Sequence, residues 1–224
     1  MRNIILCLES SDNTCGVALI ENNIILAANN YYSRNLHDRL MADNIKYLFD
    51  NLNIDINQLN AVAVSSGPGS FTGLRISAAI AKGLCFDNTV KFIAIPNGEA
   101  FAYSALDFAK SLNKEKIVCL INCNSSEIYY QEFDVLNFNC TNIELIEKSK
   151  LQQRFDQNYL YIGTAVNQFE FISSKGFFDI CKSDYIAALA IKYFNENKFT
   201  DASDYQPNYI KEFIPKSPSK ILNI

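Results

Sequence analysis

The chain has 224 residues, of which 49% are hydrophobic and 20% are charged, and its formal net charge is −4. These values are typical of a globular protein with a sizeable core, and they argue against a protein that holds nucleic acid through its own positive charge. The first apolar run is interrupted at Glu9. It is too short for a signal peptide or a membrane span, so we expect neither. The odd number of cysteines, without a C-x-x-C pair, indicates a reducing compartment, so we expect a cytoplasmic protein.

Cysteine and histidine usage excludes the common metal sites. The seven cysteines are odd in number and form no C-x-x-C pair, and His37 is the only histidine. This pattern lacks the ligand spacing of a zinc site, so no metal site is predicted. His37 stands beside Asp38 and Arg39 at the start of a predicted helix, where a capping or surface role is favoured over catalysis.

The first half of the chain predicts three strands followed by alternating helices and strands. Two asparagines, Asn22 and Asn23, predict a tight turn between the second and third strands. This order predicts an α/β fold with a mixed sheet. The predicted strands are 4–8, 14–20, 23–31, 61–65 and 91–95, and the predicted helices are 37–52, 71–86 and 98–110.

A polar stretch at 111–115 predicts a boundary between an N-terminal domain, 1–110, and a smaller C-terminal domain, 111–224. The second half again mixes strands with a helix. The predicted strands are 117–121, 127–133, 143–147 and 159–163, and the predicted helix is 183–195.

The segment SGPGSFTGLR at 66–75 is the most informative in the chain. Its glycines let the backbone come close to a phosphate, with Arg75 nearby, and Ser70 is a suitable helix N-cap. The spacing matches neither G-x-G-x-x-G nor the P-loop. Two interpretations stay open, a weak anion site and a strand-to-helix turn whose glycines serve geometry, and the second is favoured. The glycines are Gly67, Gly69 and Gly73.

One face of the following helix carries almost no side-chain bulk, because small residues recur every four positions. This face either presses on the sheet or forms half of a subunit interface, and the pattern favours neither. The opposite side suits a core. The small residues are Gly73, Ser77, Ala78 and Ala81, and the bulky ones opposite are Leu74, Ile80 and Leu84.

Three motifs together resemble the TsaB family, also called YeaZ: LCLESSDNTCGVAL at 6–19, NLHDRLM at 35–41 and SGPGSFTGLRI at 66–76. The resemblance runs over nearly the whole chain and includes PNYIK at 207–211. It implies an actin-like ATPase fold of the ribonuclease H-like (ASKHA) type. Such a fold has two lobes with mixed β-sheets flanked by helices, and the second lobe is reduced.

The resemblance also implies a function. TsaB proteins are non-catalytic scaffold subunits that bind and activate the catalytic subunit TsaD and help to recruit the ATPase TsaE. The complex adds a threonylcarbamoyl group to the adenosine next to the anticodon in tRNAs that read codons beginning with A. We therefore expect a heterodimer with TsaD, a homodimer when the chain is alone, tRNA contact through the complex, and no cofactor beyond ATP and magnesium at the level of the complex.

In the family, two helices of the first lobe form the contact with TsaD, and they correspond here to 37–52 and 71–86. We expect the turn before the second helix to set the position of that helix, through Gly67, Gly69, Ser70 and Gly73. The predicted interface residues are Leu40, Met41, Arg75, Ser77, Ala78 and Ala81.

The rival hypothesis is an enzyme, a small actin-like ATPase or phosphotransferase that uses Glu9 and the Gly67–Gly73 loop. In the family the first strand commonly ends in Asp, and Glu9 stands in its place here, which argues against independent nucleotide hydrolysis. Ala42-Asp43 replaces the family's Leu-Pro, and Lys211 replaces its Arg. These departures leave partner specificity open.

Overall fold

The computed structural model describes residues 2–32, 37–87, 89–174 and 176–208, with the backbone alone at residues 37–39. The motif residues Asn35 and Leu36, the His37 side chain and Lys211 therefore lie outside the described residues. Within the described ranges, no helix is both long enough and apolar enough to cross a membrane.

The first half of the chain builds a five-stranded mixed sheet in the order β3-β2-β1-β4-β5. Strands β1, β2 and β3 pair antiparallel, whereas β4 and β5 run parallel to β1. Asn22 and Asn23 both have positive φ, 49° and 69°, and join β2 to β3, which confirms the predicted tight turn. The strands are β1 (Ile4–Glu9), β2 (Thr14–Glu21), β3 (Ile24–Tyr32), β4 (Leu59–Ser65) and β5 (Lys91–Ile95).

Two helices, α1 (His37–Leu52) and α2 (Phe71–Leu84), cover the outer face of this sheet. Because side chains alternate along each strand, one set of strand residues meets these helices. Leu6, Val64 and Met41 are representative members of the resulting cluster, and all three are inaccessible to solvent.

The second half builds a four-stranded sheet in the order β8-β7-β6-β9. Strand β7 pairs antiparallel with β6 and β8, and β9 runs parallel to β6. The strands are β6 (Lys116–Asn122), β7 (Glu127–Asp134), β8 (Glu144–Glu147) and β9 (Tyr159–Ile162). The predicted mixed α/β architecture is therefore confirmed, and the second sheet is the smaller one.

Two helices, α3 (Asn97–Ser111) and α4 (Ser183–Asn195), pack against each other between the sheets. Helix α3 lies on β6 and β9, whereas α4 crosses all five strands of the first sheet. Each half of the chain thus supplies the helix that covers the other half's sheet. The predicted domain boundary falls at the end of α3, between the two sheets, and it stays a prediction.

Candidate functional site

The glycine turn before α2 is pressed against the loop that joins β1 to β2. The Ser70 amide donates to the Ser11 carbonyl oxygen at 2.6 Å, and the Ser10 hydroxyl donates to the Gly73 carbonyl oxygen at 2.7 Å. A Cβ atom on Gly73 would lie 1.8 Å from the Ser10 carbonyl oxygen, and one on Gly69 would lie 2.3 Å from that of Ser11. These two glycines therefore allow a backbone approach that no other residue permits.

The backbone donors of the turn are largely engaged within the chain. The Gly67 amide donates to Asn97 Oδ1 at 3.0 Å, and the Ser66 amide donates to the Ile95 carbonyl oxygen at 2.8 Å. The Gly73 amide donates to Ser70 Oγ at 3.3 Å, so Ser70 caps α2 as predicted. Together with the Ser70 amide, four of the N–H groups that an anion would need are already bonded. This geometry favours a structural turn over an anion site.

Gly67 also lies close to Asn208, the last described residue of the chain. Its φ is +101°, a region that L-residues other than glycine rarely adopt. The Asn208 amide donates to the Ser66 carbonyl oxygen at 2.8 Å, and a Cβ atom on Gly67 would lie 3.0 Å from the Asn208 carbonyl oxygen. The turn therefore also anchors the segment that leads to the C-terminus.

Glu9, the residue on which the enzyme hypothesis depends, is completely buried at the end of β1. Its Oε1 accepts hydrogen bonds from the Ser11 amide at 2.6 Å and the Ser11 hydroxyl at 2.5 Å, and its Oε2 accepts one from the Cys181 thiol at 3.2 Å. Burial raises the pKa of the Glu9 carboxyl above its ordinary value, and the bonds from Ser11 oppose this shift.

The Glu9 carboxylate thus ties β1 to the segment before α4 rather than facing an open site. Among the described residues, no group of three or more His, Cys, Asp or Glu side chains could hold a metal ion. A hydrated magnesium ion would need several oxygen ligands open to it. The arrangement of Glu9 supports a structural role.

A cleft of about 350 Å³ lies between the two halves, directly above the glycine turn. Ser11, Ser70 and Asn97 line it from the first half, and Asn122 and Thr164 line it from the second. Its described lining includes one acid, Asp12, and neither lysine nor arginine. A polyphosphate is normally held with the help of cationic side chains, so this lining does not favour one.

An apolar groove of about 500 Å³ runs between α1 and α2 on the outer surface. We call it the helix groove; Ile45, Phe49, Ile56, Ile80 and Leu84 form its apolar walls. Ile56 is 43% exposed, and Ile80 and Leu84 are half-buried.

Phe86 lies just beyond this groove, at the end of α2, and is 88% exposed. Large apolar side chains that are left open next to a groove mark an interaction surface.

The six predicted interface residues fall into two groups. Arg75 is exposed, with its guanidinium carbon 3.8 Å from the centroid of the Phe71 ring, and Leu40 is partly buried. The other four, Met41, Ser77, Ala78 and Ala81, are buried within this chain.

The small-residue face of α2 therefore packs inward, which answers the alternative that the sequence left open. Of the three residues expected in the core, Leu74 is inaccessible to solvent. Ile80 and Leu84 pack against the cluster under α1 and α2, and they also line the helix groove, which the sequence did not predict. The reason is close packing, since Ser77 and Ala81 let α2 lie tightly against the sheet. The i, i+4 spacing of Ile80 and Leu84, followed by Phe86, was the signal that could have revealed the groove.

Comparison with known proteins adds a family. The family model of TsaD, tRNA N6-adenosine threonylcarbamoyltransferase, matches residues 31–204. The tRNA threonylcarbamoyladenosine biosynthesis protein TsaB of Haemophilus influenzae is 32% identical over 133 residues, which are 59% of this chain and 55% of the relative. The protein of the same name from Buchnera aphidicola subsp. Acyrthosiphon pisum is 25% identical over 211 residues, 88% of this chain and 93% of the relative.

The chain thus aligns with about half the length of the first relative and nearly all of the second. Among solved structures, YeaZ from Pseudomonas aeruginosa superimposes with a TM-score of 0.78 at 19% identity, covering 93% of this chain and 100% of the other. This likeness, with the family model, confirms the predicted actin-like fold.

Proposed function

Because this chain belongs to the TsaB (YeaZ) proteins within the TsaD-type family, we propose that it serves threonylcarbamoyladenosine formation in tRNA as a non-catalytic scaffold subunit. Its partner is a catalytic subunit of the TsaD type. The observation that carries this proposal is the helix groove, an apolar surface left open between the two outer helices.

The helix groove suits a helical partner. Two helices at its sides leave room for apolar side chains of a third helix, which would cover Ile56, Ile80 and Leu84. Full burial of one such side chain contributes about 1.5–3 kcal/mol. A few of them supply the core of an interface, while the Lys46–Asp50 ion pair at the rim stays in water.

The predicted interface residues then divide by role. Leu40 and Arg75 reach the surface and contact the partner directly, and Ile80 and Leu84 join them. Met41, Ser77, Ala78 and Ala81 are buried, so they act through the placement of α1 and α2. Gly69 and Gly73 fix the N-terminal end of α2 against the β1–β2 loop, which holds the contact surface in one orientation.

The rest of the assembly follows from this contact. The heterodimer presents the surface on which a TsaE-type ATPase docks, and tRNA reaches the complex through the catalytic subunit. When that subunit is absent, the same groove accepts a second copy of this chain. Catalysis stays with the partner, because the buried Glu9 and a cleft whose described lining holds neither lysine nor arginine offer little to a nucleotide.

Size-exclusion chromatography with light scattering tests the proposal under reducing conditions, with the chain alone and mixed with its cognate TsaD-type subunit. We expect a one-to-one complex. Ile80→Asp would place an unpaired charge in the interface. The affinity of this variant for the TsaD-type subunit should therefore fall at least about 30-fold. The matched control is Leu136→Asp, because Leu136 is 93% exposed on the second half.

Thermal unfolding of both aspartate variants, followed by circular dichroism, shows that each is folded before its affinity is compared. Unchanged binding by Ile80→Asp, or equal losses in both variants, would remove the helix groove from the interface. Magnesium-dependent ATP turnover by the isolated chain that disappears in Glu9→Ala would instead support the enzyme hypothesis.

A further inference from the structure

A further cleft of about 340 Å³ opens on the second half, between the C-terminal end of α3, strand β9 and four later residues, Ile172, Ser173, Ser174 and Phe177. We call it the aromatic cleft. It shares no lining residue with the cleft between the two halves or with the helix groove. Its volume lies at the lower end of the range for small-molecule sites.

Two stacked pairs of aromatic rings form its walls. Phe108 and Phe177 stack with centroids 5.5 Å apart and planes 25° apart, and Phe155 and Tyr161 stack at 5.2 Å and 21°. Phe177 nevertheless remains 55% exposed and Phe155 37% exposed. Half-buried Phe108 holds the Phe177 ring and buried Tyr161 holds the Phe155 ring, which also meets the Phe171 ring in a T-shaped contact at 5.1 Å. The part of each ring that stays exposed offers a stacking surface to a planar ligand.

The charge of the cleft is one-sided. Lys114 is the one charged side chain among the twelve described residues that line it, in a chain whose net charge is −4. Its ammonium donates to the Gln157 carbonyl oxygen at 2.5 Å, which holds it at the rim and uses one of its three N–H groups. The cleft therefore favours an anionic ligand.

Two described cations nearby, Lys116 and Arg154, are paired elsewhere and add little to this charge. Lys116 pairs with Glu132 at 2.6 Å, and Arg154 pairs with Glu144 at 2.8 Å. A nucleic-acid strand gains its affinity from several cations that meet successive phosphates. The one cation among the described lining residues suits a ligand with one anionic group.

We propose that the aromatic cleft binds a free small molecule that consists of a planar aromatic ring and one anionic group, of about the size of a nucleoside monophosphate. The ring stacks on Phe155 or Phe177, and the anion lies at the Lys114 ammonium. This inference is independent of the proposed scaffold function, since the cleft lies on the other half from α1 and α2.

Isothermal titration of the full chain with adenosine monophosphate and with adenosine tests both parts of the proposal. We expect saturable one-to-one binding of the monophosphate, about tenfold tighter than that of adenosine. Lys114→Gln should abolish this preference, because the phosphate loses its cation. Phe177→Ala should weaken both ligands about tenfold through lost stacking.

The control is Phe86→Ala, a change of the same kind at an exposed phenylalanine outside the cleft, which should leave both affinities unchanged. Equal affinities for the two ligands, or a preference that survives Lys114→Gln, would overturn the proposal. In an NMR titration, chemical-shift changes centred on the backbone amides of Ser70 and Thr164, rather than on those of Ser173 and Phe177, would also overturn the proposal. Binding of single-stranded oligoadenylate more than about tenfold tighter than the monophosphate would assign the cleft to RNA and also overturn it.

Discussion

Two regions border helix α2, the glycine turn at its N-terminal end and the helix groove along its outer side. In both regions the structure differs from what the sequence pattern suggests. At its N-terminal end the glycine turn has the composition of a phosphate loop. Four of its backbone donors are nevertheless bonded within the chain, and Gly69 and Gly73 have no room for a side chain. Along its outer side the helix groove has no catalytic signature, yet three of its apolar residues, Ile56, Ile80 and Leu84, remain partly exposed.

A glycine-rich motif and a functional surface therefore need not coincide. The turn holds α2 in place, and the groove is where we propose that the partner binds. Substitutions in the two regions should therefore separate stability from association. The turn and the inner face of α2 should respond in the free energy of unfolding, and the groove should respond in affinity.

The largest loss of stability is expected for Gly73→Ala, because the new Cβ would lie 1.8 Å from the Ser10 carbonyl oxygen. Separating the two backbones should cost at least about 3 kcal/mol of unfolding free energy, measured by urea denaturation. Gly83→Ala in the same helix is the control, since its Cβ would meet no atom within 4 Å. That variant should be more stable by up to about 1 kcal/mol, as alanine replaces glycine in a helix. A Gly73→Ala variant as stable as Gly83→Ala would show that the close approach of the two backbones does not constrain position 73.

Ala81→Leu tests whether the small-residue face packs inward. Ala81 is inaccessible to solvent, so the larger side chain should overpack the core at a cost of about 1–3 kcal/mol. Ala79→Leu places the same side chain on the exposed side of α2 and should change stability by less than about 0.5 kcal/mol. A fully stable Ala81→Leu variant that fails to bind the TsaD-type subunit would instead place this face in the interface.

Ser70→Ala removes the N-cap of α2, whose side chain accepts from the Gly73 amide. We expect the free energy of unfolding, measured by thermal denaturation, to fall by about 1 kcal/mol. Thr72→Ala, two residues along and exposed, should show no loss. If the two variants are equally stable, the cap contributes little and the glycine contacts alone hold the helix end.

Glu9→Gln is the hardest of the four to detect, because its effect appears as a pH dependence. Burial raises the pKa of the folded carboxyl above its ordinary value of 4.5, so the native state holds its proton more tightly than the unfolded chain. The stabilisation from that proton is complete below the ordinary pKa and is lost as the pH rises through the raised one. Glutamine does not titrate. The unfolding free energy of the variant, relative to that of the protein with Glu9, should therefore increase from acid to neutral pH in urea titrations. A constant difference would show that Glu9 does not titrate in this range.

The local structure of the chain was predictable from its sequence, whereas long-range burial was not. The bounds of α1, β5 and α4 match the predicted segments, because periodicity and turn residues are local signals. The inward face of α2 was ambiguous, since small residues at Ser77 and Ala81 suit a sheet and a partner helix equally. The burial of Glu9 depends on Cys181, which lies 172 residues away in sequence. No local pattern reports such a contact.

The position of α4 has a consequence for synthesis on the ribosome. The first sheet is complete in sequence at Ile95, but the helix that covers its inner face ends only at Asn195, 100 residues later (195 − 95). At about 5–20 residues per second, that interval lasts about 5–20 s. During this time Ile5, Ile20 and Ile93 lack their final cover, so the nascent chain offers an apolar sheet to chaperones, or to other nascent chains, before the protein is finished.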